Sequence, residues 1–289
     1  MALTRTAQLL RDAAVAGRGV GAFNVITLEY AEAVVSGAEA AGRPVILQLS
    51  ENAVKFHLGN PRPITAAMAE LAAVSAVPVS LHLDHVEDEE LLRVSAAAGF
   101  SSVMFDAGRL GYDDNLATTT RAAEWAHEHG LSIEAELGYV GGKESQAASA
   151  HAPGVRTDPE QAVEFVAGTG VDALAVAVGS SHAMTSRSAA LDAELIGRLR
   201  AVVPVPLVLH GSSGVPDAEL AQAVAAGIVK VNVGTLLSVA YTSSIRASLA
   251  ADPTGTDPRK YLRPAREAIS SAVADLLRVV DTSSEDAGP

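Results

Sequence analysis

Short apolar runs rich in β-branched residues alternate with alanine-rich stretches of helical period along this chain. The runs at Gly19–Asn24, Pro44–Ser50, Val79–Asp84, Ser102–Asp106, Ser132–Leu137, Ala173–Val178, Leu207–His210 and Val229–Val233 read as buried strands. Helical patterns fall between them, at Thr27–Ala41, Glu87–Ala98, Tyr112–His129, Asp158–Ala167 and Asp217–Ala225. Asp158-Pro159 is an N-cap followed by proline at the first helical position, and Pro216-Asp217 opens another helix. Gly99, Gly130, Gly170 and Gly227 stand where helices should stop, each just ahead of the next strand. Eight strand–helix alternations in a chain of this length predict a (β/α)8 TIM barrel; a doubly wound open sheet is the alternative.

Two regions depart from the alternation. Gly138–Thr157 is a long Gly-, Ser- and Ala-rich stretch after the fifth strand, of a length usually reserved for lids or disordered segments. Beyond the eighth strand, Thr235–Ala250 and Pro258–Val280 read as extra C-terminal helices. Residues 1–280 are therefore expected to form a single domain, with 281–289 as a polar tail.

The 289 residues are 48% apolar, enough for a substantial core. A formal charge of −13 and the lack of any Lys/Arg block argue against a nucleic-acid partner, though not against a small anionic substrate. There is no cysteine, so a metal would have to sit on His, Asp and Glu. No apolar run is long enough to span a membrane, and the N-terminus lacks a signal-peptide core, so a cytoplasmic protein is expected.

In a barrel the site lies at the C-terminal strand ends. The ionisable residues expected there are Asp84, His85, Asp106, Glu134, Glu136, His182 and His210. Singly, each has an ordinary explanation: Asp84 and Asp106 as helix caps, and a strand-end His as a hydrogen-bonded structural residue. Three imidazoles gathered at one rim instead suit a catalytic metal, which needs three protein ligands and an open position. Asp84 and His85 would face opposite sides of an ideal strand, so one of them should lie past the regular strand. Gly211-Ser212-Ser213-Gly214 follows the seventh strand, and Asn232-Val233-Gly234-Thr235 leads from the eighth into a helix. Loops at these places frequently bind phosphate through backbone N–H groups.

With these motifs in place, the chain resembles the class II, metal-dependent ketose-bisphosphate aldolases over nearly its whole length. The resemblance rests on Leu81-His-Leu-Asp-His85, Ser102-Val-Met-Phe-Asp106, Glu134-Ala-Glu-Leu-Gly138, Gly179-Ser-Ser-His182 and Leu209-His-Gly-Ser-Ser-Gly214. It implies a catalytic Zn2+ on His85, His182 and His210, with Asp106 and Glu136 tied to a second divalent metal position; a monovalent cation is a further possibility. It implies Asp84 as the acid/base on the C4 hydroxyl and Glu144, on the Gly138–Thr157 loop, as the second catalytic group. Asn24, Ser50, Gly179, Gly211, Ser213, Asn232, Thr235 and Arg259 match substrate or phosphate contacts. The implied reaction is reversible cleavage of a ketose 1,6-bisphosphate, with the fructose sugar first and tagatose bisphosphate or a related phosphoketose as the alternative. A homodimer or homotetramer is implied as well.

The chain departs from the family pattern at Ala183, Lys143 and Leu236, where Gly and acidic residues are common. Two rival readings stand beside this one. A Schiff-base aldolase would need Lys230, the one lysine in a strand. A non-catalytic barrel subunit would have lost Asp84 or a zinc histidine, and both are present.

Overall fold

The computed structural model describes residues 3–138, 140 and 156–281. Strands β1 (Val20–Asn24), β2 (Val45–Ser50), β3 (Val79–Val86), β4 (Ser102–Phe105), β5 (Ser132–Leu137), β6 (Ala173–Val176), β7 (Leu207–Leu209) and β8 (Ile228–Val233) pair in parallel, each with the next. β8 closes onto β1, with Ala22 beside Asn232, so the fold is a (β/α)8 TIM barrel and the open-sheet alternative falls away.

Helix α1 (Thr6–Ala16) precedes the barrel. The helices between strands are α2 (Leu28–Ala41), α3 (Glu51–Phe56), α4 (Arg62–Val74), α5 (Glu89–Ser95), α6 (Tyr112–Glu128), α7 (Pro159–Thr169), α8 (Ala193–Val202) and α9 (Asp217–Ala226). Two further helices, α10 (Thr235–Ala251) and α11 (Pro258–Val280), complete the chain's outer layer. Asp158 caps α7 by accepting from the N–H groups of Glu160 and Gln161, as its sequence signal requires, and Asp257 caps α11 in the same way.

Strand parity divides the side chains into two sets. Leu47, Leu49, Leu81, Leu83, Val103, Ile133, Leu174, Leu209 and Val231 join the core between barrel and helices. Each such fully buried side chain contributes about 1.5–3 kcal/mol of transfer free energy. The alternate positions face the barrel axis. Near the start of the strands these are apolar, and Leu9, Leu10 and Ala13 of α1 pack on Val20, Ala22, Ile46, Ala173, Ala175 and Val208, closing that mouth. Further along they turn polar: Gln48, His82, Asp84, Glu134, Glu136, Lys230 and Asn232 are all buried. α11 seats against α2 at Gly37, where an added Cβ would lie 2.5 Å from the Ser270 carbonyl oxygen. Asp281, the first residue of the expected tail, is tied to Arg43 at 2.5 Å and Arg18 at 3.4 Å. Residues 282–289 lie outside those described.

Candidate active site

The residues expected at the rim arrive there by a device that the strand pattern did not reveal. β3 does not end at Asp84 but continues to Val86, and its register with β4 shifts between Leu83 and Val86. At this bulge His85 takes a left-handed backbone, φ 50°, which a residue with a Cβ adopts at a cost of roughly 1–2 kcal/mol. The bulge cancels the alternation, so Asp84 and His85 both reach the cavity. His182 follows β6 and His210 stands one residue past β7. Ligand atoms of His85, His182 and His210 all lie within 4.8 Å of one another. Their rings meet edge-on, with centroids 4.8–5.8 Å apart.

Carboxylates hold two of these rings. Asp106 accepts from His85 Nδ1 at 2.8 Å. His210, fully buried, lies between Glu136, 2.8 Å from Nδ1, and Glu134, 2.9 Å from Nε2. Burial alone would lower the His210 pKa, but the two carboxylates outweigh it and raise the value to about 9. Lys230 Nζ donates to Glu134 at 2.7 Å, and Glu134 is held well below the usual carboxylate range despite its burial. His82, 3.3 Å from Lys230, is driven by burial and by that ammonium to a pKa of about 3, so its 3.8 Å approach to Asp84 is not an ion pair.

Asp84 is 1% exposed. Its burial opposes ionisation, yet His85, Lys230, His210 and His82 together keep its pKa below the ordinary value. The amides of Gln48 and Asn232 point donors at its two oxygens, at 3.3 and 3.4 Å. Gln48 also donates to Asn24. This carboxylate therefore stays charged and oriented inside a wall of polar groups.

Asp84, His85 and His182 line one cavity of about 460 Å³. Asn24, Ser50 and Asn232 form part of its wall, and Gly211, Ser213 and Thr235 another part. Gly211 needs to be glycine: φ is +67°, and an added Cβ would lie 2.6–2.9 Å from the Ser181 backbone. Ser213 accepts from the N–H of Leu236 in the first turn of α10, joining the two expected phosphate loops. Ala183, at the family's common glycine position, has φ 59° and lines the cavity.

Two of the expected substrate-contact residues are not placed in this cavity. Gly179 does not line it; its φ of 125° and the Ala190 carbonyl, 2.4 Å from an added Cβ, make it a packing position. Arg259 is 85% exposed at the start of α11 and pairs with Asp257 at 2.9 Å, away from the cavity wall. Glu144 lies outside the described residues. Lys230, the lysine of the Schiff-base rival, is fully buried beneath the cavity and engaged by Glu134.

Gln48, Glu134 and His82 carry no role in the sequence motifs, and Lys230 enters only as the lysine of the Schiff-base rival. The signal was parity: each stands two residues before Ser50, Glu136, Asp84 and Asn232 respectively, on the same strand face.

Three imidazoles converge at the C-terminal end of a parallel barrel as a cluster that could hold a metal ion, the arrangement found in metal-dependent barrel enzymes. Comparison with known proteins narrows the class: residues 4–285 match the family model described as fructose-bisphosphate aldolase class-II, and the chain belongs to that family. It is 38% identical to a Bacillus subtilis (strain 168) protein named "Probable fructose-bisphosphate aldolase", over 99% of this chain and 100% of the relative. It is 35% identical to the fructose-bisphosphate aldolase of Geobacillus stearothermophilus, with the same coverage. Among solved structures, the YdjI aldolase of Escherichia coli K12 superposes with a TM-score of 0.83 at 31% identity, covering 98% of this chain and 99% of that one. These relatives are aldolases, lyases that make and break a carbon–carbon bond.

Proposed function

We propose that the protein is a zinc-dependent aldolase that reversibly cleaves fructose 1,6-bisphosphate into dihydroxyacetone phosphate and glyceraldehyde 3-phosphate. One observation carries this reading: a buried, charged Asp84 shares a single cavity with two imidazoles of the three-histidine cluster and with two phosphate-type loops.

The donor set fits zinc. Three nitrogen ligands without thiolate are a catalytic zinc pattern, and Zn–N bonds of about 2.1 Å would bring the nitrogens to about 3.4 Å apart. From separations of up to 4.8 Å that requires a closure of at most about 1.4 Å, within reach of side-chain adjustment. Asp106 and Glu136 each contact a ligand imidazole, the usual arrangement for orienting a metal-binding ring, and we assign them that role ahead of a second metal position. When bound, zinc supplies a Lewis acid that polarises substrate oxygens and lowers the energy of developing negative charge.

The chain's own groups perform the rest. Asp84 accepts the proton of the C4 hydroxyl as the C3–C4 bond breaks; C4 becomes the aldehyde and the bonding electron pair remains on C3. Protonation of C3 then gives dihydroxyacetone phosphate, the step assigned to Glu144. In condensation Asp84 returns its proton to the aldehyde oxygen. Gln48 and Asn232 hold the Asp84 carboxylate for this transfer. Gln48 Oε1 and Asn232 Oδ1 are buried acceptors lacking a hydrogen-bond partner among the described residues, and substrate hydroxyls are the partners proposed for them. Gly211–Ser213 and the N-terminus of the 17-residue α10 offer N–H groups to one phosphate, and Asn24 and Ser50 line the same cavity.

A coupled triose-phosphate assay comparing fructose and tagatose 1,6-bisphosphates tests the assignment. The fructose sugar should show the higher kcat/KM. A preference for the tagatose epimer would overturn the substrate, and cleavage of neither would overturn the function.

A further inference from the structure

The left-handed backbone at His85, φ 50°, persists in a residue with a Cβ only where its flanks are fixed. One residue further on, the peptide that joins Val86 to Glu87 is held from both sides. Its carbonyl oxygen accepts from the Asp106 N–H at 2.8 Å, on the β4 side. Its N–H donates to Glu51 Oε2 at 2.7 Å, and the next N–H, of Asp88, donates to the same oxygen at 3.0 Å.

Glu51 opens α3 and directly follows Ser50, which pairs with Asp84 across β2 and β3. It is buried, and its other oxygen, Oε1, receives Lys55 Nζ at 2.7 Å. Burial opposes ionisation of this carboxyl, but hydrogen bonds from Lys55, Asp88 and Glu87 outweigh it and hold its pKa below the ordinary value. Glu51 therefore meets the two backbone donors as an anion, and hydrogen bonds to an ionised acceptor are stronger than neutral ones. The two strands beside β3 thus grip His85 by different parts. From the end of β4, Asp106 accepts from the imidazole Nδ1 at 2.8 Å. From the end of β2, Glu51 gathers the backbone that follows. Both of its oxygens are engaged, so it acts through that backbone and not on substrate.

We propose that Glu51 is a positioning residue for the metal centre and for Asp84: its carboxylate clamps the backbone at Glu87 and Asp88 and so keeps the β3 bulge in the strained form that turns Asp84 and His85 together into the cavity. Without the clamp, His85 relaxes toward a negative φ, and the two side chains return toward opposite faces of the strand. The inference rests on the zinc site and the Asp84 role proposed above.

Three variants test it. Glu51→Ala removes the clamp, Glu51→Gln keeps an acceptor without its charge, and Lys55→Met leaves the clamp in place. Each is compared in zinc affinity, by competition with a chromogenic chelator, and in kcat at saturating zinc, on protein shown by circular dichroism to be folded. Glu51→Ala should weaken zinc binding by about tenfold, the lower end of the loss usual when support around a metal ligand is removed. Its kcat should fall by about 10- to 100-fold even at saturating zinc, because Asp84 moves with His85, while KM changes little. Glu51→Gln should recover part of both losses, and Lys55→Met should stay within about twofold of wild type. A loss in Lys55→Met equal to that in Glu51→Ala would place the effect in the surface ion pair and overturn the clamp. A purely structural Glu51 would lower Tm of the metal-free protein and leave zinc affinity and kcat of the folded variants within about twofold of wild type, which also overturns it. If Glu51→Ala fails to fold, Glu51→Gln is judged by the same criterion. Crystal structures of the wild-type and Glu51→Gln proteins add a readout independent of zinc: a shift of residues 85–88 with loss of the left-handed φ at His85 supports the clamp, and an unmoved bulge overturns it. Failure of the wild type to bind zinc would instead overturn the metal site, and the crystallographic comparison would still decide the clamp.

Discussion

Replacing Asp84 with Asn tests the proton-transfer role most sharply, because the substitution keeps the shape and removes the base. Asp84 is buried, and among the described residues the amides of Gln48 and Asn232 contact its oxygens at 3.3 and 3.4 Å. It lies 4.0 Å from His85 Nε2, and that ring is oriented by Asp106 at 2.8 Å. The Asn variant should therefore fold and take up one zinc at saturating metal, although loss of the adjacent charge will weaken that binding. A positioned general base contributes about 10²–10⁴-fold, equivalent to about 2.7–5.4 kcal/mol of barrier. That loss should fall on kcat, with KM nearly unchanged, because the loops at Gly211–Ser213 and Thr235 keep their contacts. Steady-state cleavage kinetics, zinc content by mass spectrometry and Tm separate the alternatives. A fully zinc-loaded Asn variant with kcat within about tenfold of wild type would refute the assignment.

Other outcomes follow from the same geometry. Gly211→Ala should lower Tm and raise KM, since its Cβ would meet the Ser181 backbone at 2.6–2.9 Å in a left-handed conformation; unchanged values would show that the loop adjusts freely. Borohydride added with dihydroxyacetone phosphate should trap no adduct, because Lys230 is buried on Glu134; a stable adduct at Lys230 would restore the Schiff-base rival. Stability of the metal-free protein should peak near pH 6.5. His210, raised to about 9, gives a contribution fully present below the unfolded value of 6.5 and lost as pH rises through 9; His82, lowered to about 3, makes stability fall as pH drops from 6.5 toward 3. Denaturation midpoints that rise steadily from pH 6.5 to 9 would contradict the first of these contributions.

Much of this architecture is legible in the sequence, for physical reasons that also mark where legibility stops. Buried parallel strands must be largely apolar, and helices must start and stop with caps, so runs such as Pro44–Ser50 and signals such as Asp158-Pro159 stand out. The three histidines are visible because strand ends share one rim. The bulge at His85 is not visible, since a left-handed φ at a residue with a Cβ leaves no compositional mark. Nor is the interior network: Gln48, Glu134 and Lys230 sit inside apolar runs and become intelligible only when barrel closure brings β2, β5 and β8 around one axis. Arg259 shows a different limit, because its motif matches a phosphate contact while its position on α11 is exposed and away from the cavity.

We propose that His85, His182 and His210 hold a zinc ion required for cleavage of the sugar bisphosphate. Purified protein stripped with a chelator and then titrated with zinc, with fructose 1,6-bisphosphate cleavage followed at each addition, tests it directly. Activity should vanish on stripping and return in proportion to zinc, saturating at one equivalent per chain. Full activity in the stripped protein would contradict the account.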